Sequence, residues 1–449
     1  MSAVDQLSAQ PARTAPTSDC TLFCLPYAGG DATAYWRWPD LLPGSVRVDT
    51  VELPGRDGRR PGHQGIEVGD VAARIAAHAH APYALYGHSM GARLAFEVIR
   101  ELRRTGTPLP VRLYVGAAHP PHLPEPITRL AHLSVDAFLE QLILRAGTPP
   151  VVRDDPDIRE AVLPTLRTDL DWLKRYRYRP ADPLPVPVVA FAGLDDREVP
   201  DDMMLGWARH TSASFRLHTL VGDHLFIRTA PQTVTAMIAA DLAAALSDVP
   251  AGPAVAPPAA DEIHLWRMAL DHLPAGTTAT GELSTEEAAR AARIADPTER
   301  RRHVASRVAL RDLLRRYGTD PLRSEPAGLR WSIGRSAGTA VVAVCQEDLG
   351  VDLETLRPMA DFDAFCERVL APAERAEVLA EPEEHQLRAA MRCWTAKEAV
   401  RKATGSAPAG PDATGWQVTH LDLDGAVAAV ATCRGRWRLR FETFGMDLR

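Results

Sequence analysis

Ser89 lies between two glycines, in Gly87-His88-Ser89-Met90-Gly91, where a short apolar run gives way to an alanine-rich segment of helical period. A serine hydroxyl is a weak nucleophile until a base stands within hydrogen-bond reach and a carboxylate orients that base. Both partners follow in the chain, each just past an apolar run: Gly193-Leu194-Asp195-Asp196 and Gly222-Asp223-His224. His224 is preferred to His210, which precedes the last of these runs, and to His218, which lies inside it. Of the two aspartates, Asp196 has a glycine three residues before it, the usual turn spacing, and Asp195 stays open. The chemistry of this set would be acyl transfer to water through a serine. A second set lies far downstream. Asp352 and Glu354 are two apart on a strand and share a face. Glu398 occurs in Trp394-Thr395-Ala396-Lys397-Glu398, with Lys402 one helical turn further on. Three carboxylates suit an oxygen-liking cation such as Mg²⁺ with substrate phosphates, and a lysine nearby would balance phosphate charge. Spacing alone fits a solvated surface as readily.

The elements that must position these residues change along the chain. From Thr21 to about Leu246, strands alternate with helical patterns, as in a parallel sheet covered on both faces. The strands expected are Thr21–Pro26, Val46–Leu53, Tyr83–Tyr86, Val111–Val115, Val186–Phe191 and Ser214–Leu220. A serine between glycines at a strand-to-helix turn is the nucleophile elbow of an α/β-hydrolase. In that fold the oxyanion donors are the N–H after the nucleophile, here Met90, and one in the loop after the first strand, here Ala28. The helical segment His119–Arg179 is too long for a plain connection and would form a lid. Asp248–Pro258 is a Pro/Ala linker, which predicts two separately folded bodies. The expected boundaries are a disordered tail 1–19, a first domain 20–247, a linker 248–262 and a second domain 263–449. The second domain reads as α+β. Ser284-Thr285-Glu286-Glu287 is a capping box, a helix runs from Pro297 through Leu314, and Thr339–Val344 and Leu349–Glu354 are strands. A long helix spans Glu383–Thr404, and two strands, Ala426–Thr432 and Trp437–Thr443, close the chain.

Composition bounds the answer. A chain of 449 residues makes two or three domains at about 100–200 residues each. A net charge of −7 argues against general nucleic-acid binding. No apolar run approaches the roughly 20 residues of a membrane helix, and Met1–Asp19 lacks the apolar core of a signal peptide. Six cysteines without Cys-x-x-Cys spacing fit structural thiols in a reduced, cytoplasmic protein.

Four separated motifs in the first half, Leu25-Pro26-Tyr27-Ala28-Gly29-Gly30, Glu52-Leu53-Pro54-Gly55-Arg56, Gly87-His88-Ser89-Met90-Gly91 and Gly222-Asp223-His224, resemble the type II thioesterases of polyketide and nonribosomal peptide synthesis. The resemblance implies hydrolysis of acyl thioesters from phosphopantetheine arms of acyl or peptidyl carrier proteins. In the second half, Gly350-Val351-Asp352-Leu353-Glu354 and Trp394-x-x-Lys397-Glu398-Ala399-x-x-Lys402 are similar to the two signatures of Sfp-type 4′-phosphopantetheinyl transferases. Trp266 and the Arg307…Arg311 helix are similar too. This implies two pseudo-symmetric α+β subdomains with coenzyme A and Mg²⁺ between them. By position, Asp352, Glu354 and Glu398 would hold the metal and Glu398 would help deprotonate the carrier serine. Lys402, Lys397 and Arg307 would face the coenzyme. Two departures stand out. Ile333 replaces the family's usual histidine, with Arg335 a substitute phosphate contact, and Glu325-Pro326-Ala327-Gly328 replaces its Gly-Lys-Pro. Both halves point to a carrier protein as partner. The rival readings are a thioesterase with a non-catalytic docking domain, and a general esterase.

Overall fold

A computed structural model describes residues 19–54, 65–79, 82–247, 255–272, 283–318, 328–405, 415–433, 435 and 437–444. The N-terminal tail up to residue 18, Gly55-Arg56, most of the Pro/Ala linker and Glu325–Ala327 lie outside the described residues.

Six strands build the first half: β1 (Cys20–Leu25), β2 (Val46–Thr50), β3 (Tyr83–His88), β4 (Arg112–Gly116), β5 (Val188–Gly193) and β6 (Phe215–Leu220). They line up as β2-β1-β3-β4-β5-β6, and every neighbour is parallel. Parallel sheets are buried on both faces, so their strands read as unbroken apolar runs. β1, β3 and β5 are buried at every position. One face packs under helices Val68–His78 and Met90–Arg104 through Ile75, Leu94 and Val98. The other packs under Pro231–Leu246 through Val234 and Ile238, with Tyr35 and Trp38 beside them. The two longest helices of the lid are capped. Ser134 accepts from the Ala137 N–H to open Val135–Ala146, and Asp155 accepts from Asp157 and Ile158 to open Pro156–Arg175.

The second half repeats one pattern. β7 (Glu262–Ala269), helices Thr285–Ala292 and Pro297–Arg316, β8 (Arg330–Ser336) and β9 (Thr339–Cys345) form the first unit. β10 (Leu349–Thr355), helices Phe362–Val369, Pro372–Ala380 and Glu383–Thr404, β11 (Gln417–Leu423) and β12 (Ala426–Thr432) form the second. Strand orders β7-β9-β8 and β10-β12-β11 correspond, and all their pairs are antiparallel. Ser284 and Glu287 make the reciprocal capping box, as expected.

The two halves meet at the last strand, β13 (Arg438–Phe444). It pairs parallel with β7 and antiparallel with β6, so one ten-stranded sheet runs through both halves. The physical reason is the edge that β6 would otherwise present, a row of unpaired backbone groups. Side chains reinforce the seam. Arg216 meets the buried Glu442 at 3.0 Å, Thr443 Oγ1 accepts from the Phe215 N–H at 3.1 Å, and the Phe215 and Phe441 rings lie 6.0 Å apart.

Candidate active sites

β3 delivers Ser89 into a backbone that few residues tolerate, φ 53° and ψ −117°, before the helix Met90–Arg104 starts. The flanking glycines are sterically required. A Cβ at Gly87 would fall 2.2 Å from the Gly91 carbonyl oxygen, and one at Gly91 would fall 2.3 Å from that of Leu25. The turns after β5 and β6 supply the partners. His224 Nε2 is 3.0 Å from Ser89 Oγ, and His224 Nδ1 is 2.9 Å from Asp196 Oδ2. Asp196 Oδ1 accepts from the N–H groups of Glu198 (2.8 Å) and Val199 (2.9 Å), which fixes its plane. Asp195, by contrast, is exposed.

Electrostatics follow from this packing. Burial pushes the Asp196 carboxyl up, but the hydrogen bond and charge of His224 with the two N–H groups outweigh it and leave it below the usual range. For His224 burial acts downward, and Asp196 outweighs it, so the imidazole is raised. The discarded histidines lie elsewhere. His218 is half-buried in the sheet, held neutral by desolvation and then by Arg216 and Arg440. His210 Nε2 lies 2.8 Å from His122 Nδ1, and burial with His122 lowers it to about 3.

Two supporting residues were not anticipated. His88 is buried, with Nε2 2.6 Å from the His224 carbonyl oxygen and Nδ1 3.1 Å from the Tyr86 hydroxyl. Burial and the neighbouring His224 lower it to about 3, so it stays neutral and its Nε2–H donates to that carbonyl. Its place inside the Gly-His-Ser motif was visible, but a pairing across 136 residues was not. Asp169, on the lid helix Pro156–Arg175, accepts the Gly29 N–H. Above the serine is a cavity of about 300 Å³, bounded by Ala28, Leu142, Val152, Val162, Leu166 and His224. Aliphatic walls with one hydroxyl and one imidazole at the floor suit an acyl chain whose carbonyl carbon reaches Ser89.

The second set of residues is differently disposed. Gly350 lets helix Glu383–Thr404 lie on β10, since a Cβ there would fall 1.8 Å from the Ala399 carbonyl oxygen. That contact brings Lys402 Nζ to 2.8 Å from Asp352 Oδ1 and 2.9 Å from the carbonyls of both Ile333 and Val351. Glu354 accepts from Ser336 Oγ at 2.8 Å and from Trp394 Nε1 at 3.3 Å. Glu398 is paired with Arg401 at 2.7 Å. Lys397 turns the other way, to the Val369 carbonyl at 2.9 Å and to Glu374. Arg307 lies 4.0 Å from Glu287, among Arg290, Arg311 and Arg335, and burial followed by those charges lowers it. Arg335 itself is bonded to Glu299 at 2.8 Å.

Among the described residues, no three His, Cys, Asp or Glu side chains are gathered as a group able to hold a metal ion. The expected trio is therefore near but not convergent, because each carboxylate is already engaged by Lys402, Arg401 or Ser336 and Trp394. One feature favours a cation all the same. Asp352 is 7% exposed, and its Oδ2 is buried with no hydrogen-bond partner. Burial pushes its carboxyl up to about 6, Lys402 opposes this, and Glu354 and Glu398 add to it. All-oxygen donors with an orphaned buried oxygen fit a hard divalent ion.

A hydrolase half and a transferase half are what this fold defines. The thioesterase domain model matches residues 20–242, and the 4′-phosphopantetheinyl transferase superfamily model matches residues 348–445. Linear gramicidin dehydrogenase LgrE of Brevibacillus parabrevis is 35% identical over 232 residues, 50% of this chain and 88% of that protein. Thioesterase PikA5 of Streptomyces venezuelae is 36% identical over 220 residues, 47% of this chain and 77% of that protein. The 4′-phosphopantetheinyl transferase HetI of Nostoc sp. is 33% identical over 217 residues, 40% of this chain and 92% of that protein. The chain belongs to the thioesterase family through its first half and to the 4′-phosphopantetheinyl transferase superfamily through its second.

Proposed function

We propose that the protein maintains carrier proteins of polyketide or nonribosomal peptide synthesis, installing the phosphopantetheine arm with one half and clearing acyl groups from it with the other. The observation that carries the hydrolytic part is the Ser89–His224–Asp196 relay, with contacts of 3.0 and 2.9 Å, at the floor of an apolar pocket. His224 would take the Ser89 proton as Oγ attacks the thioester carbonyl carbon. The N–H groups of Ala28 and Met90 would hold the developing oxyanion. His224 then returns the proton to the leaving thiol, and water, activated by the same imidazole, releases the acid and regenerates Ser89.

For transfer, Asp352, Glu354 and Glu398 would hold Mg²⁺, which when bound would neutralise the pyrophosphate of coenzyme A. Glu398 would exchange its pairing with Arg401 for this role and accept the proton of the carrier serine. The serine oxygen then bonds to phosphorus as the bond to adenosine 3′,5′-bisphosphate breaks. Lys402 would hold Asp352 in place and compensate phosphate charge. Arg307, in its arginine cluster, would attract the anionic coenzyme, whereas Lys397 is better placed to tie its helix to Glu374. The expected compartment is the cytoplasm. Among the described residues no helix is long and apolar enough to cross a membrane.

Incubating the full chain with apo carrier, coenzyme A and Mg²⁺ should add one phosphopantetheine mass to the carrier. An acyl-loaded carrier should lose its acyl mass. A carrier unchanged in the first reaction, across several carriers, would leave the second half as a docking domain, the reading that Ile333 and the Arg401–Glu398 pair favour. Faster turnover of simple oxygen esters than of acyl-carrier thioesters would make the first half a general esterase.

A further inference from the structure

One hydrogen bond joins the lid to the oxyanion loop, and the hydrolytic steps above do not use it. Asp169 on the lid helix is fully buried, and its Oδ2 accepts the Gly29 N–H at 2.7 Å across 140 residues of sequence. One turn earlier on that helix, Leu166 packs on the same glycine. A Cβ at Gly29 would lie 3.3 Å from Leu166 Cδ1, and the residue sits at φ +77°. A buried carboxylate is costly unless it is hydrogen-bonded, and a charge-assisted bond of this length is among the stronger ones. The bond commits the Gly29 N–H, which removes it as an oxyanion donor. It also fixes the peptide plane that follows Ala28. On the other side, the Gly30 N–H donates to the Tyr27 carbonyl at 2.9 Å and closes the turn. The Ala28 N–H is thus set by a backbone turn and by a side chain of the lid.

We propose that Asp169 is a positioning residue for the oxyanion hole, holding the Ala28 N–H in its productive direction only while the lid helix is docked. Lid closure and assembly of the hole are then one event. Lifting the helix to admit an acylated arm breaks the Gly29 bond and leaves the hole incomplete. Attack on the carbonyl, by Ser89 and then by water, is therefore confined to the state with the lid docked. The inference rests on the reading of Ser89 as nucleophile and Ala28 as donor.

The test uses the full chain and a short-chain acyl-pantetheine thioester. Asp169→Leu keeps the side chain's shape but has no acceptor, whereas Asp169→Asn keeps an oxygen for the Gly29 N–H. Removing an oxyanion donor outright costs about 10²–10³-fold, so a displaced one should lower kcat by about 30-fold in the leucine variant. KM should stay within about twofold, and Asp169→Asn should recover to within about threefold of wild type. Amide exchange at Gly29 should be fast in Asp169→Leu and slow in Asp169→Asn. If Asp169→Leu does not fold, Asp169→Glu, which keeps the charge but displaces the loop, should show the same loss in kcat. Equal activity of wild type, Asp169→Leu and Asp169→Asn would overturn the proposal. Equal impairment of both variants would do so too. Ser89→Ala run alongside separates the two levels: surviving hydrolysis there sinks the nucleophile reading, while loss there with an unimpaired Asp169→Leu sinks only the positioning role.

Discussion

The two halves hold their reactive groups in opposite ways. Around Ser89, each polar contact leaves the next group aimed at the reacting atom: Val199 and Glu198 orient Asp196, Asp196 orients His224, and His224 reaches the serine. Around Asp352 the carboxylates are engaged by the protein's own groups, Lys402, Arg401, Ser336 and Trp394, while Asp352 Oδ2 is left unpaired. Hydrolysis needs only water and an acyl thioester, so its site can stand complete in the bare chain. The proposed transfer would bring in a cation and a coenzyme with several negative charges, and a site for these must carry charge that their absence would leave uncompensated. Internal ion pairs supply that compensation, and they would rearrange when the ligands arrive.

The contrast can be broken at several points. The largest effect is expected from Ser89→Ala, which should lower hydrolysis of acyl-carrier by about 10⁴-fold or more while leaving phosphopantetheine transfer within twofold. Next, Glu354→Gln should lower transfer by about 10²-fold, since several kcal/mol of charge stabilisation is at stake, with hydrolysis unchanged. Mass spectrometry of the carrier reads both. The pH profile of hydrolysis sharpens the picture. His224 acts as a base only when neutral, and Asp196 raises its pKa. The rate should therefore rise with pH through an inflection above the ordinary imidazole value of about 6.5. Asp196→Asn removes the raising charge and should move that inflection down as well as lowering kcat. A smaller effect is expected at Leu166, which lines the acyl pocket. Leu166→Ala should shift the preferred acyl chain longer, by about tenfold in relative kcat/KM. The smallest is at the seam, where Glu442→Ala removes one of Arg216's carboxylate partners and leaves it Asp241, which should cost about 1–3 kcal/mol. Because β13 belongs to both halves, both activities should then lose heat resistance together in thermal inactivation.

The hydrolytic half was the more legible in sequence because its constraints are local. Glycines that a Cβ would crash into, a serine at a strand end and a histidine at the next strand end but two can all be read from spacing. The parts that were missed depend on distant partners. Asp169 is an ordinary helical residue until Gly29 lies against it. β7 escaped notice because Ile263 and Leu265 enter one core while Trp266 and Met268 enter another, so no alternation marks it. β11 is divided in the same way, with Val418 packed on one core and Leu421 and Leu423 in another. The pairing of β13 with β6 joins residues more than 200 positions apart, and a Pro/Ala linker gives no hint of it. In the second site the residue types could be read from sequence, but side-chain pairing between neighbours such as Glu398 and Arg401 is decided by rotamers that no spacing specifies.

The central claim is that one chain carries two chemically independent sites serving the same arm. The direct measurement gives the full chain apo carrier, acyl-coenzyme A and Mg²⁺, and follows the carrier by mass over time. The wild type should first add the acylated arm and then lose the acyl group. Ser89→Ala should stop at the acylated carrier, and Glu354→Gln should leave the carrier apo. An acyl group that disappears from the carrier in the Ser89→Ala protein, or a Ser89→Ala protein that no longer loads the carrier at all, would contradict this account.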